Sequence, residues 1–244
     1  MYFYNNLNSE SRYFVLIPAA GVGARMAAHC PKQYLHIAGQ SILQLGAQAF
    51  LQHEQIAHVF VVVSPEDAYV EHELKPDPRL TVLYCGGATR SDSVLNGLAA
   101  IQNQVDPQDW VMVHDAARPG INAELINRLI DEVGADEVGG LLALPVADTV
   151  KLYIPGTEKN GGKNQVTTIP RSGLWLAQTP QMFRHGQLCH ALQHAKTHAV
   201  DITDDASAIE ACGLTPLLVE GHCCNTKITR PDDLTLITSY LTKN

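Results

Sequence analysis

The sequence predicts an α/β protein, a mostly parallel sheet flanked by helices from which one β-hairpin arm projects. Three observations carry this expectation. Short apolar runs rich in β-branched residues alternate with segments of helical period at about 20–30 residue spacing, the pattern of βαβ units. Glycines and polar side chains gather where those runs end, as at Ala19-Ala20-Gly21, Gly86-Gly87 and His114-Asp115. Over residues 149–171 the alternation breaks into two strand-like segments around a polar, glycine-bearing turn.

Taken in order, residues 13–19 form a continuous apolar run that breaks into a glycine loop, as a strand buried on both faces does. Residues 41–53 place Ile42, Leu45, Ala49 and Phe50 on one side of a helix, with Ser41 as its N-cap. A second β-branched run, 58–63, closes at Ser64-Pro65; residues 66–74 read as a short helix and 80–84 as a third strand. Helical periodicity returns over 91–101 through Val94, Leu95, Leu98 and Ile101. Residues 110–113 are a fourth strand, 123–133 a helix and 138–146 a fifth strand. Residues 149–154 and 165–169 then make a hairpin around the turn 155–164. It presents no evident apolar face, and a lone hairpin is marginal in water, so it needs another surface, naturally that of a partner subunit. Residues 174–183 return to the body; 187–198 and 205–212 are helices, 217–220 a late strand, and 231–240 a closing helix with Pro in its first turn. The expected organisation is a flexible leader over 1–12, a single domain over 13–244, and an arm over 149–171.

Composition excludes several classes. Hydrophobic residues make up 45% of the 244 and charged residues 17%, the balance of a globular chain. With 17 Lys and Arg against 25 Asp and Glu, the net charge of −8 excludes the broad basic surface that nucleic-acid binding requires. The apolar runs are too short to span a bilayer, and the leader lacks the basic start and apolar run of a secretory signal. A cytoplasmic protein with neither nucleic-acid nor membrane partner is expected. Its six cysteines form no C-x-x-C pair and read as reduced thiols. His190, His194 and His198 share one helix face without a supporting carboxylate, so they read as solvated surface rather than a metal site.

Several clusters can carry chemistry. Ala19-Ala20-Gly21-Val22-Gly23 ends a strand in a turn whose backbone N–H groups can approach an anion, and Arg25 and Lys32 follow closely. The loop is neither a Walker A nor a dinucleotide fingerprint: Gly-Lys-Ser/Thr is missing, and Met26 stands where the third glycine belongs. Two cations beside such a nest suit a polyphosphate whose charge grows during reaction; a plain strand-end turn with solvated Arg and Lys is the simpler alternative. Asp115, at a strand's carboxyl end, can hold Mg²⁺ together with phosphate oxygens, and Arg118 can take a second phosphate. The alternative is a local Asp115–Arg118 ion pair, with His114 a packed core residue. In Gly86-Gly87-Ala88-Thr89-Arg90-Ser91-Asp92-Ser93 a base ring can lie on the small-residue backbone with Ser93 as its handle, or Ser91 or Asp92 can simply cap the helix. Thr149 with Lys151, Arg171, Thr203 beside Asp204, and Lys227 before Thr229 are each unremarkable alone. No nucleophile elbow, H-E-x-x-H or acid/base carboxylate pair occurs. If the nucleophile were itself a phosphate, mostly ionised at pH 7, no general base would be needed.

Together the motifs carry a resemblance. Pro18-Ala19-Ala20-Gly21-x-Gly23-x-Arg25-Met26, Pro31-Lys32-Gln33-Tyr34-Leu35, Asp92-Ser93-Val94, Val113-His114-Asp115-Ala116-Ala117-Arg118-Pro119, Asp148-Thr149-Val150-Lys151, Leu174-Trp175-x-x-Gln178-Thr179-Pro180-Gln181, Thr203-Asp204-Asp205-Ala206-Ser207 and Asn225-x-Lys227-Ile228-Thr229-x-Pro231-Asp232-Asp233-Leu234 occur in this order. The chain resembles the 2-C-methyl-D-erythritol 4-phosphate cytidylyltransferases of non-mevalonate isoprenoid biosynthesis. The resemblance implies a Rossmann-like nucleotidyltransferase fold, a homodimer with arm exchange, and transfer of a cytidylyl group from CTP to the polyol phosphate with release of pyrophosphate. By motif, Arg25 and Lys32 would stabilise the transition state at the α-phosphate, while Arg171 and Lys227 position the sugar phosphate. Ala19, Ala20, Gly21, Gly23, Gly87, Ala88 and Ser93 would hold CTP, and Asp115 a Mg²⁺ ion. Arg118, Thr149, Lys151 and Thr203 would surround the second substrate, with Thr149, Lys151 and Arg171 serving the partner's site. Two positions depart from the pattern: Cys224 stands where an acidic residue is frequent and as a neutral thiol cannot assist a metal, and Pro170 precedes Arg171 where an acid is common. The alternatives are a ribitol-5-phosphate cytidylyltransferase and, in another class, a non-catalytic nucleotide-binding module.

Overall fold

Strand alternation builds two cores. In β1 (Tyr13–Pro18) Val15 and Ile17 face one side of the sheet and Phe14 and Leu16 the other, and all four are buried. Trp110 and Met112 against Val111 and Val113 repeat the division in β6 (Trp110–Val113). A strand buried on both sides needs helices above and below, which is why these runs are continuously apolar. On one face α1 (Ile42–Leu51) and α4 (Ala123–Val133) supply Leu43, Phe50, Leu125 and Leu129. On the other, α3 (Arg90–Ile101), α5 (His185–Thr197) and α6 (Asp205–Ala211) supply Val94, Leu98, Leu188 and Ile209. Each such side chain contributes about 1.5–3 kcal/mol on full burial. The computed structural model describes residues 11–21, 30–156 and 162–242.

The seven-stranded sheet also contains β4 (Ile56–Val62), β5 (Leu80–Leu83), β7 (Gly139–Pro145), β10 (Trp175–Arg184) and β11 (Leu217–Glu220), in the order β11-β7-β10-β6-β1-β4-β5. Every pairing is parallel except those of β10, which runs antiparallel between β6 and β7. The chain runs outward from β1 through β4 to β5, then returns to β6 on β1's other side. That reversal opens a crevice at the carboxyl ends of β1 and β6, where α/β sheets bind ligands. The two strand ends leave the sheet together: the Ala19 N–H reaches the Val62 carbonyl at 2.7 Å and the His114 N–H the Leu16 carbonyl at 2.9 Å.

A third, small core sets the segment after β11. Ile228, ahead of α7 (Pro231–Leu241), and Ile237 within it pack on Ile37 and Ile42 beside the short ribbon of β2 (His36–Ile37) and β3 (Gln40–Ser41), which the sequence pattern did not reveal. The helix expected over 66–74 is the single turn α2 (Val70–Glu73). Ser41 caps α1 as expected, but α3 is capped by Thr89, not by Ser91 or Asp92. Of the expected leader, residues 1–10 lie outside the described residues. Arg12 is tied to the body, its guanidinium on Asp109 at 2.6 Å, and Ser11 accepts a hydrogen bond from Arg184.

The hairpin of β8 (Val150–Ile154) and β9 (Gln165–Ile169) is a sheet of its own. Contrary to the sequence reading, it has an apolar face. Val150 pairs with Ile169, and Leu152 and Ile154 follow on the same side, Leu152 and Ile154 exposed. Leu174, Trp175 and Leu176 are exposed at its base. Among the described residues no helix is long and apolar enough to cross a membrane.

Candidate functional site

The loops after β1, β5 and β6 meet over the crevice and enclose a cleft of about 660 Å³. Ala19, Ala20 and Gly21 line it just after β1, Gly87 and Ala88 from the turn before α3, Ser93 from the first turn of α3, and Asp115 just after β6. Lys32 and Lys227 border it from two further segments.

Small residues are required here by packing. A Cβ on Gly86 would lie inside contact distance of the Ala20 Cβ and 2.8 Å from the Val63 carbonyl, so only glycine lets the β5 turn press on the β1 loop. Gln33 secures that loop from below, its side-chain amide donating to the carbonyls of Ala19 at 2.7 Å and Gly21 at 3.1 Å. Ser93 closes the other turn, accepting from the Gly87 N–H and donating to the Thr89 carbonyl, each at 3.0 Å.

Charge is concentrated at Asp115. Arg90 Nε donates to its Oδ1 at 2.9 Å, while Lys227 Nζ at 2.9 Å and Arg118 Nε at 3.4 Å meet its Oδ2. Burial disfavours the ionised carboxyl, but Arg90, Lys227 and Arg118 outweigh it and hold the group well below the ordinary carboxylate range. Arg118 is buried beneath the cleft and also donates to the carbonyls of Asn225 and Ala177. The local Asp115–Arg118 pair therefore forms, within a larger network. Arg90 Nη2 continues that network to Asp205 Oδ2 at 2.8 Å, a carboxylate with no exposure at all. His114 is a packed histidine, hydrogen-bonded to the Arg118 carbonyl and the Thr179 hydroxyl; burial pushes it down to about 4, so it is neutral at pH 7.

The structure thus gathers Ala19, Ala20, Gly21, Lys32, Gly87, Ala88, Ser93, Asp115 and Lys227 in one cleft. Gly23 and Arg25 lie outside the described residues. Thr149, Lys151, Arg171 and Thr203 are exposed and stand apart from the cleft lining of their own chain. Lys151 Nζ rests on the Thr168 hydroxyl across the hairpin at 2.6 Å, and the Thr203 N–H donates to Ser207. Lys32 Nζ donates to the Ile228 carbonyl at 3.2 Å, beside Lys227.

Sequence reading passed over Arg90 and Asp205. A signal existed: Arg90 opens α3, and a cation in a helix's first turn opposes the helix dipole, so it requires carboxylates nearby. Cys224 is buried, its thiol donating to the Gly120 carbonyl at 3.4 Å and pushed up by burial, which leaves it neutral. Among the described residues no group of three His, Cys, Asp or Glu side chains could hold a metal. The donor set is one carboxylate, which suits a hard cation that keeps phosphate oxygens and waters as its other ligands.

Comparison with known proteins agrees with this geometry. The sequence profile of the 2-C-methyl-D-erythritol 4-phosphate cytidylyltransferase family matches residues 13–243. A Thiobacillus denitrificans protein of that description is 47% identical over 234 residues, covering 95% of this chain and 98% of that protein. A crystal structure of a 4-diphosphocytidyl-2C-methyl-D-erythritol synthase superposes with a TM-score of 0.80 at 39% identity, covering 95% of this chain and 98% of the other. The Francisella tularensis 2-C-methyl-D-erythritol 4-phosphate cytidylyltransferase gives 0.76 at 35% identity, covering 93% and 98%.

Proposed function

The chain belongs to the 2-C-methyl-D-erythritol 4-phosphate cytidylyltransferase family, and on that premise we propose how its cleft performs the reaction. The enzyme transfers a cytidylyl group from CTP to 2-C-methyl-D-erythritol 4-phosphate. A phosphate oxygen of the polyol phosphate forms a bond to the CTP α-phosphorus, the bond to the β-phosphate bridge breaks, and pyrophosphate leaves with that electron pair. The observation that carries the reading is the meeting of Lys32, Lys227 and Asp115 with two small-residue backbone loops at the sheet's reversal point.

The cytidine lies against Ala19, Ala20, Gly21, Gly87 and Ala88, where the absence of bulky side chains lets backbone groups reach the base and ribose. Ser93 serves by holding the Gly87 turn in shape. Lys32, with Arg25 assigned by family motif, neutralises charge growing on the α-phosphate. Lys227, held beside that point by the small core under Ile228, receives the incoming sugar phosphate. No residue need act as general base, since the attacking phosphate is already ionised. Asp115 is the residue to hold Mg²⁺, and Lys227, with 37% of its side chain exposed, is the most exposed of the cations that ion would displace there. When bound, the ion supplies charge neutralisation on the phosphates. Arg118 serves the second substrate from beneath, by fixing Asp115 and the Asn225 segment that leads to Lys227.

Thr149, Lys151 and Arg171 serve the cleft of a second copy. Support comes from their position away from their own cleft and from the uncovered apolar face of the hairpin that carries them, which dimerisation would bury. Residues 13–244 act as one catalytic unit with the arm over 149–171, and Thr203 is assigned to the polyol phosphate by family motif alone. The free cysteines and acidic surface fit a cytoplasmic enzyme without nucleic-acid or membrane partners. The test is pyrophosphate release by the purified protein from CTP with each polyol phosphate. Turnover with 2-C-methyl-D-erythritol 4-phosphate is expected; faster turnover with ribitol 5-phosphate would overturn the choice, and no turnover with either would favour a binding module.

A further inference from the structure

Asp205 has no place in the chemistry described so far, yet it is completely buried and spends one oxygen on Arg90, while its other oxygen has no hydrogen-bond partner among the described residues. It is the first residue of α6, and its neighbours are held by side-chain hydrogen bonds. Asp204 caps the helix through Ser207, and Gln181 of β10 bonds both Asp204 Oδ2 and the Ala206 N–H at 2.8 Å. Arg90 lines the cleft and divides its guanidinium between Asp205 and Asp115. Arg90 reaches the two carboxylates from separate nitrogens, Nε and Nη2, a spread of donors that the single ammonium of a lysine does not reproduce. Three cations, Arg90, Arg118 and Lys227, therefore share the two carboxylates beside the phosphate loops.

We propose that Asp205 and Arg90 form a positioning pair: Asp205 anchors the Arg90 guanidinium, and Arg90 fixes the Asp115 carboxylate at the orientation in which it receives the metal-nucleotide. This rests on the reading of the cleft as the CTP site. The pair joins three elements that the sheet brings together from distant parts of the chain, the start of α3, the end of β6 and the start of α6. Without the anchor, Arg90 would turn wholly onto Asp115 and compete there with any bound cation. Partners that orient a metal ligand cost about 10–100-fold in affinity or activity when removed.

The near-isosteric Asp205→Asn and the single-point Arg90→Lys test it. Each is expected to weaken CTP binding in Mg²⁺ by about 10-fold, read by calorimetry without turnover. Each should also raise the Mg²⁺ concentration for half-maximal rate several-fold. The double variant should be no worse than the poorer single one, because both changes break the same link. A merely structural role would lower Tm without moving the Mg²⁺ midpoint or producing that non-additivity. Wild-type protein is run alongside: if it fails to turn over CTP with 2-C-methyl-D-erythritol 4-phosphate, the functional reading fails. If it turns over while both folded variants keep its CTP affinity and Mg²⁺ midpoint, the positioning pair is wrong. Should Asp205→Asn not fold, Arg90→Lys decides by the same two readouts.

Discussion

Asp115→Asn is the substitution that most directly tests the charge cluster. It preserves shape and removes the charge on which Arg90, Lys227 and Arg118 converge at 2.9, 2.9 and 3.4 Å. Breaking a buried ion pair by removing one partner costs about 3–5 kcal/mol. The low end, about 3 kcal/mol, is expected here, because Arg90 keeps Asp205 and Lys227 can turn to water. For a chain of this length that is a Tm lower by roughly 6–12 °C. The pH dependence follows from the depressed carboxyl. The stabilisation is fully present above the unfolded value of about 3.9 and is lost as pH falls towards the lower folded one. Wild type and variant should therefore differ by a constant Tm gap from pH 8 down to about 4, closing only in more acid solution. In the pyrophosphate-release assay kcat should fall by about 10² or more. A Tm within 2 °C of wild type would refute the electrostatic account, and a kcat within about threefold would remove Asp115 from the reaction.

Three further outcomes are expected. Mixing Arg171→Ala with Lys227→Ala should restore about a quarter of wild-type activity, since half the dimers pair unlike chains and each of those regains one intact cleft; no recovery after verified subunit exchange would place the arm in its own chain's site. Gly86→Ala should raise the KM for CTP and cost roughly 1–3 kcal/mol, because its Cβ meets rigid neighbours at Ala20 and Val63; unchanged kinetics and Tm would show that the two loops are not pressed together. His114, depressed to about 4 by burial, takes up its proton later in the folded chain than in the unfolded one. Stability should thus decline by roughly 3 kcal/mol as pH falls from about 6.5 to about 4, and His114→Gln should lose that slope in a Tm series; parallel slopes would exclude the mechanism.

The parts of this molecule that could be read from the sequence are those fixed by local chemistry. Tyr13–Pro18 and Trp110–Val113 announce themselves because a strand covered on both faces has no polar side. The small residues and cations of the cleft stand at strand ends, where topology alone predicts a ligand. What stayed hidden was decided by distance along the chain. Residues 174–183 read only as a return to the body, and nothing local in them says that they form β10, antiparallel between β6 and β7. Thr89, Ser91 and Asp92 are all competent caps, and the geometry of the preceding turn chooses Thr89. Arg90 and Asp205 meet only through the folded sheet. The apolar face of the hairpin is different: Val150, Leu152 and Ile154 alternate with the period of a strand, so that signal was present in the sequence and was obscured by the polar turn beside it.

The acidic chain and its polyanionic substrates are reconciled by range. At physiological ionic strength charges are screened over about 8 Å, so the net −8 of the whole surface acts weakly on a phosphate inside the cleft. What that phosphate meets is local: Lys32 and Lys227 at the rim, and behind them Arg90 and Arg118, which share Asp115 with Lys227. Burial strengthens those interactions, whereas a solvated basic patch of the same charge would attract polyanions of every kind. Pairing each buried cation with Asp115 or Asp205 keeps the cluster stable before substrate arrives, and leaves Lys227, the most exposed of the three cations on Asp115, able to exchange one anionic partner for another.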